Sequence, residues 1–423
     1  MKKTSLALLL PLLFYSCDLF SRNSSDEEPS YTAKIAWDSG LNSNYFGSTL
    51  LDGDSLYFYE CPPGYNTVNI YTLTKLDAST GALIWRSSEF TDIAFCPPVA
   101  LESYIYVFLQ PNFILCFYKE TGKLTAIARA NIEGNDSEMR WNVTGYGHYL
   151  YFGLRGNNRC FVRLDINDID YNNPQTIQEV VPEILWKPET GNSAAAIPVV
   201  YNNVVYICTR SSWELEVVEL AGFNIDTKEM VFYQTFGGIE DVNAGYTRYP
   251  ENGAYNGSSP ILIHDGILYY ISRSIAAWNL KTGERLYRHV FPNDIPNANM
   301  YNSNTLMQAV YYNGKIYYTS NAVDDEQGYR NTHCIDAKTG KLVWNSVAKG
   351  SVSLRIIPII AHGRMYVSES IGLRVYNPQT GKLIGVDKSF RGGDMDRTVL
   401  YGDYMICERY DKGYKKVAVD VGK

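Results

Sequence analysis

Short apolar runs recur along most of the chain, and each stops at a polar turn rich in Gly, Asn or Asp. That is the signature of half-buried strands joined by tight turns. One hairpin recurs eight times, at Thr49–Tyr59, Pro98–Phe108, Val143–Gly153, Pro198–Cys208, Pro260–Ile271, Gln308–Thr319, Pro358–Ser368 and Thr398–Cys407. Each copy has apolar residues, a polar turn such as Asp265-Gly266 or Asn313-Gly314, then an apolar strand. Gly and Asn tolerate the positive φ that such turns need. Seven of the eight strands centre on Tyr: Tyr57, Tyr106, Tyr151, Tyr206, Tyr269, Tyr317 and Tyr366. The eighth is expected to centre on Met405.

A second hairpin follows each first one, with an apolar strand, an Asx residue, a short turn ending in Thr-Gly, and another strand. The clearest copies are Leu76 to Gly81 with Trp85, and Ile335 to Gly340 with Trp344. Others lie at Thr121-Gly122, at Asn279 with Thr282-Gly283, and at Asn377 with Thr380-Gly381. Weaker ones lie at Asp165 and Asp226. Two hairpins per unit of about fifty residues make a four-stranded antiparallel propeller blade. The expected fold is therefore all-β, an eight-bladed β-propeller. The last unit stops at Lys423 before its fourth strand, while Ala33 to Asp38 matches Gly340 to Asn345. The N-terminal strand is expected to complete the last blade and close the ring.

The first residues do not fit this pattern. Met1-Lys2-Lys3 is basic, and Ser5 to Phe14 is a Leu-rich run too short to span a bilayer. It leads into Ser16-Cys17 and resembles a bacterial lipoprotein signal, with Cys17 as the lipidated first residue of the mature chain. A plain secretory signal with a chance Cys is the alternative. The expected organisation is a signal at 1–16, a lipidated flexible tether at 17–31 and the propeller at 32–423. The tether is polar and rich in Ser, Asp and Glu.

Composition narrows the function classes. The 423 residues carry a net charge of −7, which gives no polyanion-binding surface and argues against nucleic acid. Tyr is the unusual residue, at 35 against 16 Phe and 7 Trp, and suits pleated surfaces and wet binding faces. Seven Cys follow Cys17 with no C-x-x-C or Cys-Cys pair. Cys116, Cys160 and Cys334 sit in apolar runs and read as buried thiols. Pairing among Cys61, Cys96, Cys208 and Cys407 is left open. The five His form no zinc-type pair, and no G-x-S-x-G or phosphate loop occurs. The acids Asp324, Asp325, Glu326, Asp394 and Asp396 offer no diagnostic calcium spacing. No catalytic or metal site is expected.

The Asp336, Thr339, Gly340, Lys341, Trp344 motif resembles the pyrroloquinoline-quinone (PQQ)-type propeller repeat, Ala-x-Asp-x-x-Thr-Gly-Lys-x-x-Trp. Ala418, Asp420 and Trp37 match it across the chain ends. In that family the Trp docks against the next blade. Tyr287 and Gly385 stand at the Trp position in two units, which implies incomplete docking there. One branch of the family is the quinoprotein dehydrogenases, which bind PQQ with calcium. Their usual Cys-Cys pair and C-x-x-C-H motif are missing here. The other branch is the BamB lipoproteins, scaffolds of outer-membrane β-barrel assembly. That resemblance implies an exported, monomeric, lipid-anchored envelope protein facing the periplasm or cell surface, without a cofactor and with a β-barrel assembly component as partner.

The short hairpin turns of every blade should share one face of the ring, and the longer connections the other. Those longer segments are Cys61–Asn69, Ser211–Glu219, Gln234–Ser259, Pro292–Asn304 and Asn321–Asn331. Loops on a rigid scaffold are where binding concentrates. Tyr65, Trp213, Tyr246, Tyr249, Tyr255, Tyr301 and Tyr329 form the expected binding face, with Asn and Gly between them as in adaptable recognition surfaces. The expectation is a binding or scaffold propeller without catalysis. The alternatives are a PQQ-dependent dehydrogenase and a surface glycan- or ligand-binding lipoprotein.

Overall fold

The computed structural model describes residues 28–43, 49–61, 70–93, 96–132, 138–155, 160–188, 197–210, 217–237, 261–271, 274–290, 309–322, 329–349, 357–369, 372–392, 398–410 and 413–422. They form an eight-bladed β-propeller, with seven sheets of four strands and one of five. Blades one to seven cover 50–91, 99–130, 138–186, 199–237, 261–290, 310–349 and 359–387. Blade eight is 399–420 completed by the strand Ile35–Asn42. That strand runs antiparallel to Tyr414–Asp420, with Ile35 opposite Val419 and Trp37 opposite Ala418, so the ring closes as the sequence implies.

Alternation along each second strand decides where the core sits. In blade one Leu56 and Phe58 face blade eight, while Tyr57 and Tyr59 face blade two. The apolar interior is accordingly eight clusters, one in each seam between neighbouring blades. Each blade contributes one face to each of two clusters, so no blade buries its apolar faces alone. The hairpin registers align Tyr57 with Tyr106, Tyr151, Tyr206, Tyr269, Tyr317 and Tyr366. In blade eight Tyr401 pairs with Tyr404, which puts Ile406 at this position rather than Met405. Ile406 then faces blade one, as its counterparts face their own next blades.

The second-hairpin turn is built by its Asx residue. The Asp77 carboxylate accepts from the Ser79 and Thr80 amides, and the Gly81 amide donates to the Asp77 carbonyl. The Ser79 and Thr80 hydroxyls donate to the same carboxylate, and these bonds above all hold the Asp77 pKa below its ordinary value. In blade four Asn224, not Asp226, has this role, accepting from the Asp226 and Thr227 amides. The next residue ties the two turns of a blade together. Ala78 donates to Asp54, Lys119 to Ser103, Ile166 to His148, Ile225 to Asn203, Leu280 to Gly266, Ala337 to Gly314 and Val421 to Asp403. Blade seven has Pro378 there, which carries no N–H to donate. Both hairpin turns of a blade therefore lie on one face of the ring. The other connections emerge on the opposite, variable face.

Blade seams and the candidate binding face

An aromatic side chain on the outer strand of one blade docks on the turn of the next. The Trp37 Nε1 donates to the Ala78 carbonyl at 3.1 Å, Trp85 to Lys119 at 2.9 Å and Trp344 to Pro378 at 2.9 Å. Each ring lies over the turn glycine. A Cβ on Gly81 would come within 2.5 Å of Trp37, and one on Gly381 within 2.5 Å of Trp344. Glycine thus serves twice, supplying a φ near +70° and leaving room for an indole.

Seams without this Trp are closed by other means, which corrects the expectation of incomplete docking. In blade five the Tyr287 hydroxyl donates to the Ala337 carbonyl at 2.8 Å, the same bond made by another donor. Between blades three and four the Arg163 guanidinium reaches the Ile225 carbonyl at 2.7 Å. Blade two has Ala126 at the Trp position, opposite Cys116. There, part of the connection between the last two strands of blade three returns to blade two. Its strand Ile177–Val180 pairs in parallel with Leu124–Ala130 and makes the fifth strand. The same connection places the Tyr171 hydroxyl 2.9 Å from the Ile166 carbonyl and 2.7 Å from the Tyr106 hydroxyl.

Blade seven repeats the device. Gly385 stands at the Trp position, opposite Val375. Pro29 to Tyr31 lies in parallel beside Val386, through Tyr31 N–H to the Val386 carbonyl and Val386 N–H to the Pro29 carbonyl. Tyr31 packs against the seam of blades seven and eight, and burial, the largest cause, raises its pKa. A Cβ on Gly385 would meet the Tyr31 Cβ at 2.8 Å, so glycine there makes room for this segment. The Glu28 carboxylate pairs with buried Arg374 at 2.9 Å, and Asp387 accepts from the Ala33 amide at 2.7 Å.

Toward the variable face several seams turn polar. Glu408 and Lys416, each 1% exposed, pair at 3.0 Å, and the Ser43 hydroxyl donates to the same carboxylate oxygen at 2.7 Å. In blade four the Glu219 carboxylate accepts from the Thr209 and Tyr233 hydroxyls. Buried charge of this kind is costly unless bonded, and it fixes geometry more than it adds stability.

The expected binding-face residues Tyr65, Trp213, Tyr246, Tyr249, Tyr255 and Tyr301 lie outside the described residues, as do Cys17, Asp324, Asp325, Glu326, Asp394 and Asp396. Tyr329 is not in a loop; it starts the strand Tyr329–Asp336, opposite Ala322 and Lys349. The segments drawn as loops are also shorter than expected, because Val217–Asn224, Met230–Gly237 and Lys315–Ala322 extend as strands. No disulfide joins the seven cysteines after Cys17, and six of them are buried. His148, His264 and His362 stand on the short-turn face, each within salt-bridge range of an Asp: Asp165, Asp265 and Asp403. Among the described residues no three His, Cys, Asp or Glu groups converge as metal ligands. The docking roles of Tyr171 and Tyr31 left no repeat signal in the sequence, since neither lies within a repeated hairpin.

These seams define the class: an eight-bladed propeller of PQQ-type repeats with aromatic blade-to-blade docking. Residues 272–388 match the family model PQQ_2, described as outer membrane protein assembly factor BamB. Among solved structures the chain resembles BamB from Moraxella catarrhalis, at 12% identity and TM-score 0.56, covering 92% of this chain and 98% of that one. It also resembles a europium-containing methanol dehydrogenase, at 12% identity and TM-score 0.63, covering 93% and 88%. A third is the quinohemoprotein alcohol dehydrogenase of Comamonas testosteroni, at 10% identity and TM-score 0.64, covering 93% and 77%. At such identities the likeness is one of fold. No curated protein matches the sequence. No helix among the described residues is long and apolar enough to cross a membrane.

Proposed function

We infer that this chain is a lipid-anchored envelope protein whose propeller binds and scaffolds other proteins in outer-membrane protein assembly. The observation that carries this reading is the match of residues 272–388 to the BamB family model. The lipobox-like Ser16-Cys17 after an export signal and the near-complete overlap with a BamB propeller support it. The seams support it as well, because their bonds are spent on rigidity rather than on a reactive centre. Cross-linking in envelopes followed by purification of the full-length protein tests the reading. β-barrel assembly components should co-purify, and their absence would overturn it.

The dehydrogenase reading is favoured by the fold neighbours alone. Adding PQQ and Ca²⁺ to the purified protein, then assaying dye-linked alcohol or sugar oxidation, decides it. Quinone retained through gel filtration with turnover would establish the dehydrogenase.

A further inference from the structure

The segment Glu28–Ala33 ties the start of the propeller to blade seven before the chain enters blade eight at Ile35. Its Pro29 carbonyl accepts from the Val386 amide at 2.8 Å, and its Tyr31 amide donates to the Val386 carbonyl at 3.0 Å. The Glu28 carboxylate pairs with Arg374 at 2.9 Å and with Lys388 at 3.5 Å. The Arg374 side chain is only 5% exposed, so that pair is screened far less than a surface one. The Ala33 amide donates to the Asp387 carboxylate at 2.7 Å. Gly385 leaves the space that Tyr31 enters, since a Cβ there would meet the Tyr31 Cβ at 2.8 Å and the Ser30 carbonyl oxygen at 3.0 Å. Backbone, carboxylate and ring thus hold one short segment against Leu383–Asp387, the last strand of its sheet.

The added segment of blade two comes from within the ring, whereas that of blade seven comes from the stretch that follows Cys17. Its docking therefore decides how far the ring can stand from an anchor at Cys17. From Cys17 to the closing strand at Ile35 the chain advances eighteen residues, about 60 Å at full stretch. From Cys17 to Glu28 it advances eleven, about 40 Å at full stretch and about 20 Å as a flexible coil. The docked segment thus shortens the leash by seven residues and moves its attachment from blade eight to the outer edge of blade seven. Blade seven can never stand farther from the anchor than this leash. Blade three, across the ring, is under no such restraint.

We propose that Glu28–Ala33 is a membrane strap, which fixes the lipid anchor to the outer edge of blade seven and makes that edge the part of the ring held nearest to the lipid surface. The proposal rests on the reading of Cys17 as a lipidated anchor, not on the identity of any protein partner. Glu28 and Tyr31 are then positioning residues for the whole ring. Glu28 holds the strap to blade seven by charge, and Tyr31 holds it by filling the space beside Gly385.

The test uses the full-length lipidated protein in vesicles of phosphatidylethanolamine and phosphatidylglycerol that carry an acceptor dye. A fluorescent donor amino acid replaces either Ile384 on blade seven or Ile184 on blade three, which are 40% and 39% exposed. Neighbouring strand positions point to opposite faces, so a donor at 384 stays clear of the space beside Gly385. Energy transfer to the lipid should be stronger from position 384 than from position 184. Glu28→Lys, which sets like charge against Arg374 and Lys388, should lower the transfer from 384 and narrow the gap. If that variant fails to fold, Gly385→Val should do the same by displacing Tyr31. Equal transfer from the two positions, or a gap that the strap variants leave unchanged, would overturn the strap while flotation with the vesicles upholds the anchor. Protein that does not float with the vesicles would overturn anchor and strap together.

Discussion

The Tyr171 hydroxyl sits 2.7 Å from the Tyr106 hydroxyl and donates to the Ile166 carbonyl at 2.9 Å. With its one proton committed there, Tyr171 accepts from Tyr106. The pair is buried, and burial, the largest cause, raises both phenol pKa values. This tyrosine from blade three's connection replaces the tryptophan that Ala126 cannot provide. Tyr31 fills the space beside Gly385 in the seam of blades seven and eight from the other end of the chain.

Removing the Tyr171 hydroxyl should therefore cost stability although no ring is lost. Tyr171→Phe leaves the Tyr106 hydroxyl and the Ile166 carbonyl without their bridge, at a cost of about 1–3 kcal/mol. Tyr171→Ala also empties the stacking contact with Tyr104 at 4.0 Å, and should cost about 3–5 kcal/mol. Urea denaturation measures both. A Phe variant as stable as the wild type would show the bridge to be incidental.

The turn glycines allow backbone strain to be separated from aromatic docking. Gly122 and Gly283 have nearly the same φ, +69° and +72°, so alanine strains both backbones alike. At Gly122 the new methyl also runs into the Trp85 ring, while at Gly283 it meets open space. Gly122→Ala should be about 1–3 kcal/mol less stable than Gly283→Ala, the cost of overpacking. Equal melting temperatures would mean that the indole yields freely.

Closure makes a prediction about the chain ends. Ile35–Asn42 completes blade eight, and Trp37 docks on blade one through the Ala78 carbonyl. Deleting Ala33–Asp38 leaves the edge of Tyr414–Asp420 unpaired and opens two seams at once. The variant should melt at a clearly lower temperature and be cut by protease near its C-terminus. Gly385→Val tests the adjoining contact, because its side chain displaces Tyr31 without touching blade eight. It should expose the segment 28–33 to proteolysis while Ile35–Asn42 stays protected. An unchanged melting temperature after the deletion would sink the closure account.

Most of this architecture was legible because it repeats. Recurrent apolar strands centred on Tyr, joined by Asx and Gly turns, fix eight blades, and the match of Ala33–Asp38 to Gly340–Asn345 fixes the closing partner. The seams were harder to read, because they depend on which atoms meet across blades. Tyr287 preserves the tryptophan's hydrogen bond with a different ring. Arg163 reaches the same kind of carbonyl from a third strand, and Tyr171 from a connection. A motif compared position by position registers each as a missing Trp, whereas a carbonyl asks only for a donor. The strand after the Gly402-Asp403 turn has no Tyr to mark its centre, so the sequence alone points to Met405. Only the pairing of Tyr401 with Tyr404 shows Ile406 in that place.

One buried base gives the fold a pH dependence of predictable sign. His333 is fully enclosed and stacks on Tyr318 at 4.7 Å, and burial lowers its pKa from 6.5 to about 4. The unfolded chain therefore takes up a proton below about pH 6.5 that the folded chain refuses until about pH 4. Stability is full above pH 6.5 and falls as pH drops through that window. Asp77 and Asp387 do not mask it near pH 6, because both titrate below their ordinary range. For Asp387, hydrogen bonds led by Ser389 and the Ala33 amide outweigh a burial that alone would raise it. Unfolding free energies measured between pH 7 and pH 5 should decline in the wild type, with a shallower decline in His333→Phe. Identical slopes in the two proteins would mean that the imidazole is protonated inside the folded ring.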